Sequence, residues 1–327
     1  MMRDSRCALI FGINGQDGTY LARLLIGKNY DVHGTSRTGS PGQNLCRING
    51  TDRITVHRIE VTDSVSVQNL IGTLRPDEIY YLAGQSSVSV SFSQPAETFK
   101  SHVIGLLNVL EALRVLKHEA RLFNASSSEI FGEISEPATE ENKHVPCTPY
   151  GVAKSASMAL VQTYRQIYGL FACSGIMFNH ESPLRSENFV SRRIIQTVID
   201  ISKGRKKELV LIETSMIRDW GWAPDFVECI WMMLQQDRPE DYVIATGKGS
   251  SLAAFVERAF QYFNLDPNEF LTINRERARS ADIAVSVGNP AKAARQLGWK
   301  ATLVMPQLVD TLIEAELRDE CDRPPSH

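Results

Sequence analysis

The sequence predicts an α/β fold, a doubly wound parallel sheet followed by a smaller α/β lobe. Three observations carry this reading. Short β-rich apolar runs alternate with longer helical patterns through the first half of the chain, a glycine-rich turn follows the first run directly, and the alternation loosens beyond residue 178. Strand and helix taking turns imply parallel strands joined by crossover helices, with both faces of the sheet covered.

The elements follow in order. Residues 7–11 (CALIF) read as the first strand and 18–28 as its helix. Strands at 31–35 and 54–60 come next, then a helix at 64–74, a strand at 78–82, a helix at 97–116, a strand at 121–126, a helix at 149–168 and a run at 172–178. Asn179, His180, Glu181, Ser182 and Pro183 break the pattern. A helical run then starts at Phe189, a strand lies near 209–212, and mixed elements lead to a last helix at 306–318. Residues 1–178 are expected to form the sheet domain with the chemistry. Residues 179–327 are expected to be mainly a substrate lobe, with some chain returning to the first domain. No repeat, low-complexity tract or long Pro/Gly linker separates them, so the lobes should share a cleft over the carboxyl ends of the strands.

Composition excludes several classes. The 327 residues are 43% hydrophobic and 22% charged, enough for a large buried core. The 35 Lys and Arg against 38 Asp and Glu give −3, too balanced for a surface that coats nucleic acid. No stretch approaches the roughly 18 apolar residues of a membrane span, and the start of the chain lacks a signal-peptide apolar region, so a cytoplasmic protein is expected. Six scattered cysteines without a CxxC pair fit reduced thiols, and no structural metal is expected.

Gly12, Gly15 and Gly18 follow the CALIF strand in GxxGxxG spacing (GINGQDG) and open the first helix. Glycines are needed where the chain turns tightly and where backbone approaches a pyrophosphate, whose charge the helix N-terminus favours. A tight strand-to-helix turn alone also needs glycine. At the end of the second strand stand Thr35, Ser36 and Arg37, with no acid to accept from a ribose hydroxyl, which favours a 2′-phosphate and so NADP. The ordinary alternative is a solvated surface arginine.

Ser126, Ser127, Ser128 and Glu129 follow the fifth strand, and Tyr150 and Lys154 open the next helix. Four residues apart, Tyr150 and Lys154 share a helix face, where the ammonium can lower the phenol's pKa toward that of a base, while a serine bonds the same substrate oxygen. Alone, a YxxxK pair is common on helix surfaces; the ordered set of glycine turn, strand-end serine and YxxxK is far more specific.

With these residues in view, the chain resembles the extended short-chain dehydrogenase/reductases, and within them the GDP-mannose 4,6-dehydratases. The resemblance covers nearly the whole chain. It rests on GINGQDGTYLA (12–22), LAGQSSV (82–88), SSSEIFG (126–132), TPYGVAK (148–154), FNHESPLR (178–185), ENFVSRR (187–193), RDWG (218–221) and GNPAKAARQLGWK (288–300). It implies a Rossmann-type fold, NADP as cofactor, a GDP-sugar substrate, lyase chemistry and a homodimer or homotetramer.

In the implied reaction Tyr150 takes the 4-hydroxyl proton as hydride leaves C4. The resulting ketone acidifies the C5 proton, and Glu129 removes that proton and protonates the departing 6-hydroxyl. Ser127 and Lys154 complete the catalytic set. Gly12, Asn14, Gly15, Gln16, Asp17, Gly18, Arg37, Glu60, Val61, Leu82, Ala83, Gln85, Tyr150, Lys154, His180 and Arg185 would hold the cofactor. Ser86, Ser128, Asn179, Glu181, Val190, Arg193, Arg218, Arg279 and Asp282 would face the sugar nucleotide, arginines suiting phosphates through their planar fork. Read from the residues alone, a lone His180 is more often a satisfied, partly buried histidine than a functional group, the ordinary alternative for Glu129 is a solvated loop acid or a helix-start charge, and each arginine could equally be half of a surface ion pair.

The chain departs from the family at residues 212–217 (IETSMI), where an acid is gained and a lysine lost, at Glu60, Ser127, Cys147 and Ser280, and between 37 and 52, where the segment is shorter and less basic. A 4-epimerase or ketosugar reductase, a dehydratase of another GDP-sugar such as a GDP-heptose, and a catalytically silent binder are the competing readings. Epimerases share the fold and YxxxK but usually lack the glutamate.

Overall fold

The computed structural model describes residues 5–274 and 283–322. The first half contains β1 (Cys7–Phe11), α1 (Gln16–Gly27), β2 (Asp31–Ser36), β3 (Ile54–Arg58), α2 (Ser64–Leu74), β4 (Glu78–Tyr81), α3 (Val88–Ser93), α4 (Pro95–Phe99), a π-helical turn (Lys100–Ile104), α5 (Gly105–Leu116), β5 (Arg121–Ser127), α6 (Pro149–Tyr168) and β6 (Ala172–Met177). The second half adds β7 (Asn179–Glu181), α7 (Val190–Ser202), β8 (Leu209–Leu211), β9 (Ile217–Trp222), α8 (Ala223–Met233), β10 (Tyr242–Ile244), β11 (Gly249–Ser251), α9 (Leu252–Tyr262), α10 (Pro267–Phe270), β12 (Leu271–Ile273), β13 (Val285–Ser286), α11 (Ala291–Gln296) and α12 (Gln307–Asp322).

The expected doubly wound sheet is present. Seven strands, all parallel, run in the order β10-β6-β5-β4-β1-β2-β3. The order reverses between β1 and β4, and such a switch point opens a crevice at the carboxyl ends of the strands. Side chains of β1 alternate between two cores: Ala8 and Ile10 pack with α1 and α8, Leu9 and Phe11 with α2 and α5. All five residues are fully buried, as a central parallel strand requires. A separate core in the second half joins Ile195 and Val198 of α7, Phe255 and Phe260 of α9, Leu308 and Ile313 of α12, and Trp220 of β9. From this half, β10 returns to the large sheet beside β6, and α8 packs against α1.

Sequence and structure part in three places. The helix expected at 97–116 is α4, the π-helical turn and α5, and α3 precedes it unannounced. Tyr81 supports the wider turn by donating its hydroxyl to the Ser101 carbonyl. The third strand stops at Arg58, which leaves Glu60 and Val61 in the loop beyond it. The first helix begins at Gln16, so Gly18 lies inside its first turn.

Candidate active site

A cleft of about 430 Å³ lies over the sheet where β1, β4 and β5 end, between the glycine turn, the loop after β4, the start of α6 and the β7–α7 segment. Its floor is the glycine turn. Gly12 has φ +88°, and a Cβ there would stand 2.9 Å from the backbone of Leu82 and Ala83; one on Gly18 would stand 2.4 Å from the Gly12 carbonyl. Gly15 is exposed and supplies no side-chain cap to α1. The first amides of α1 therefore open toward the cleft with no side chain from Gly15 in the way, the arrangement a pyrophosphate needs. The residues present fit a dinucleotide.

One wall carries the chemistry. Ser127 ends β5, and its Oγ accepts from the Glu129 amide at 3.3 Å. Thr148 does two things: its Oγ1 caps α6 by accepting from Gly151 N at 3.0 Å, and it donates toward Glu129 Oε2 at 3.5 Å. Pro149 opens the helix at a position that needs no amide. A Cβ on Gly151 would meet the Glu129 carbonyl at 2.5 Å, so the start of α6 lies hard against the loop bearing the glutamate. Ser127, Glu129, Tyr150 and Lys154, expected together from sequence, do line one cleft, with Ser128 beside them.

The electrostatics correct one expectation. Lys154 is buried, donates Nζ to the Ala125 carbonyl at 2.7 Å and lies 5.5 Å from the centre of the Tyr150 ring. Burial, only partly offset by Asp17, pulls its ammonium down to about 7. The Tyr150 phenol moves the other way. Burial raises it well above its ordinary value, the Ser127 hydrogen bond and Arg185 oppose this, and the Glu129 and Asp17 charges add to it. In the protein alone, desolvation outweighs the Ser127 hydrogen bond and the Arg185 charge, and the phenol is raised.

The remaining residues sort by what they touch. Gln16, Asp17, Leu82, Ser86, Asn179, His180, Arg185, Val190 and Arg218 line the cleft with the glycines. His180 is also a satisfied histidine: Nε2 lies 3.0 Å from Asp17, Nδ1 2.7 Å from the Phe178 carbonyl, and its ring stacks on Phe226. Asn14 ties the turn to the following loop through Ser40 O and Gly42 N, and lines an adjoining hollow of about 730 Å³ with Arg47, Arg185 and Arg192. Arg37 is exposed just past β2, and Glu60 is exposed past β3. Ala83 and Val61 pack on the core under the loop.

Like Asn14, Arg37, Glu60, Val61 and Ala83, three further expected residues are not on the cleft wall. Gln85 spends its side chain on Thr98 and Ser87, Glu181 is buried against Arg185 and Ser191, and Arg193 is exposed on α7. Arg279 and Asp282 lie outside the described residues. Sequence reasoning missed His102, whose ring reaches the cleft from the π-helical turn, and Phe189, whose face carries the Arg185 guanidinium at 3.7 Å. Tyr150 and Lys154 stand in one motif, whereas no local pattern marks His102.

A glycine turn on β1, a serine ending β5 and a buried Tyr150/Lys154 pair over a parallel sheet define an extended short-chain dehydrogenase/reductase. More narrowly, the model of the family described as GDP-mannose 4,6 dehydratase matches residues 9–312, and the chain belongs to that family, whose members are hydro-lyases. It is 39% identical to GDP-mannose 4,6 dehydratase 2 of Caenorhabditis elegans, over 96% of this chain and 90% of the relative. Among solved structures it is similar to UDP-glucose 4-epimerase of Thermotoga maritima (TM-score 0.85, 20% identity, 96% of this chain and 99% of the other). It is equally similar to dTDP-glucose 4,6-dehydratase of Bacillus anthracis (TM-score 0.84, 17%, 97% and 98%). Epimerase and dehydratase share this fold, so the fold alone does not distinguish them.

Proposed function

We propose that the protein is an NADP-dependent GDP-mannose 4,6-dehydratase that forms GDP-4-dehydro-6-deoxymannose. The observation that carries this is Glu129, held beside Ser127 and Tyr150 by the Thr148 hydroxyl and by the close packing of Gly151. Gly12, Gly15 and Gly18 of the glycine turn would hold the cofactor, which would supply hydride acceptance at C4 and hydride return at C6. Tyr150 removes the proton of the 4-hydroxyl, with Ser127 bonding the same oxygen. The 4-ketone acidifies C5, and Glu129 takes the C5 proton and delivers it to the 6-hydroxyl, which leaves as water. The proton taken by Tyr150 balances the one that restores C5–H, so both residues end as they began.

Three supports belong to the finer parts of this reading. NADP over NAD rests on Arg37, exposed at the end of β2 with no acid directly beside it in sequence. A GDP-sugar rests on the family and on Arg218 and Asn179 in the cleft. A homodimer or homotetramer rests on exposed Phe99, Ile104 and Val152, carried by α4, the π-helical turn and α6, which pack together. No helix among the described residues is long and apolar enough to cross a membrane.

Incubation with GDP-mannose and NADP should produce a species lighter by one water. Glu129→Gln should still bind the sugar nucleotide and reduce cofactor transiently, with kcat for dehydration lower by at least about a hundredfold. Near-normal dehydration in that variant would remove Glu129 from the elimination step, whereas a parent protein that releases only a C4 epimer of the same mass would remove the assignment and promote the epimerase. Arg37→Ala should erase the preference for NADP over NAD in paired dissociation constants; an unchanged ratio would show the arginine to be a bystander.

A further inference from the structure

His102 is one of the few buried ionisable groups in the cleft that the reaction above does not use. It sits in the π-helical turn, an irregularity that aims a side chain where a regular helix would not. Its imidazole is 3% exposed and wedged between two parts of the site. On one side is the loop after β4: Nε2 lies 2.8 Å from the Gln85 carbonyl, which can only accept, so this nitrogen carries the proton. Gly84, at φ +127°, leaves the space the ring occupies, since a Cβ there would stand 2.3 Å from Cε1. On the other side the ring meets Tyr150 edge to face, centroids 5.4 Å apart and planes at 83°. Burial and the Lys154 charge hold the imidazole well below its ordinary pKa, which keeps a second cation away from Lys154.

We propose that His102 is a positioning residue for Tyr150: its neutral ring, anchored to the Gln85 carbonyl, fixes the tilt of the phenol toward Ser127 and the substrate oxygen. The inference rests on the role given to Tyr150 above. An edge-to-face contact orients one ring against another, and a shift of about 1 Å at a reacting group can cost about a hundredfold in rate. Because the ring acts through the phenol, its removal slows proton transfer and leaves the binding of sugar nucleotide nearly untouched.

The test uses the full chain with NADP and GDP-mannose. His102→Ala should lower kcat by about ten- to a hundredfold with KM changed less than about threefold, and His102→Phe, which keeps the ring, should recover most of the loss. In a double-mutant cycle, His102→Ala should cost nothing further in a Tyr150→Phe background, measured as residual single-turnover rate. Circular dichroism and dinucleotide binding confirm folding; should the alanine protein not fold, His102→Leu replaces it. Unchanged kcat, a loss confined to KM, a phenylalanine variant no better than alanine, or an additive loss in the cycle overturns the proposal. If Tyr150→Phe turns over normally, the site reading falls with it; if Tyr150→Phe is inactive and His102→Ala is normal, only the present inference falls.

Discussion

Tyr150 and Lys154 pay opposite consequences of the same burial: the phenol is raised and the ammonium is lowered, each toward its neutral form. A neutral phenol can accept a proton only after losing its own, so the wall needs a further positive charge near the ring before Tyr150 works as a base. In the proposed reaction that charge arrives with the oxidised cofactor, which makes proton removal conditional on cofactor binding. Tyr150→Phe keeps the ring and removes the acid/base atom. It should bind cofactor and sugar nucleotide with near-normal affinity while kcat drops by at least about a hundredfold, checked by titration calorimetry and steady-state rates. Normal turnover would mean that the tyrosine serves only the helix. Residues of this kind are legible in sequence because their spacing along one helix or one strand end is the chemistry. The Asp17–His180 pair joins positions 163 apart, and the His102–Tyr150 contact depends on how α6 meets the π-helical turn, so neither leaves a local signature.

Among the elements, the glycine turn makes the sharpest structural demand. A methyl on Gly18 would collide with the Gly12 carbonyl and with Ile13, both backbone and unable to yield, whereas one on Gly27 in the same helix meets nothing within 4 Å. Gly18→Ala should destabilise the protein by about 1–3 kcal/mol and weaken dinucleotide binding. Gly27→Ala should leave binding intact and be neutral to stabilising by up to about 1 kcal/mol. Urea denaturation and cofactor titration of the two variants check this, and equal effects would show that the turn's geometry is not the constraint. The strands around this turn were readable because each is a short buried run beside turn residues. The interrupted helix was not. Apolar spacing through α5 fits a regular helix equally well, and the contact that accompanies the wider turn at 100–104, the Tyr81 hydroxyl on the Ser101 carbonyl, comes from a strand 20 residues away.

At the scale of the whole molecule, the two halves are clasped across the cleft by Asp17 of α1 and His180 of β7, whose side chains are 19% and 8% exposed. Burial would raise Asp17, but the His180 charge and hydrogen bond hold it at about 2. Burial would lower His180, but Asp17 raises it above its ordinary value. Asp17 therefore stabilises the fold above its unfolded pKa of about 4 and loses that contribution as pH falls toward 2. His180 contributes fully below its unfolded value of about 6.5 and loses the contribution as pH rises through its higher folded value. The pair should stabilise most between about pH 4 and 6.5. Asp17→Asn should cost about 3 kcal/mol there and flatten the pH profile on both sides, measured by urea denaturation near pH 3, 5.5 and 9. A variant profile parallel to that of the parent protein would show that the pair is not what titrates.

The return of β10 to the edge of the large sheet has a bearing on protein engineering. A chimaera that joins residues 1–178 to the second half of a relative replaces more than a sugar pocket. It also replaces the strand that covers the β6 edge and the α8 face against which α1 packs. Loop-by-loop grafting onto the existing halves is therefore the workable route to altered specificity, because in this architecture the halves are not interchangeable cassettes.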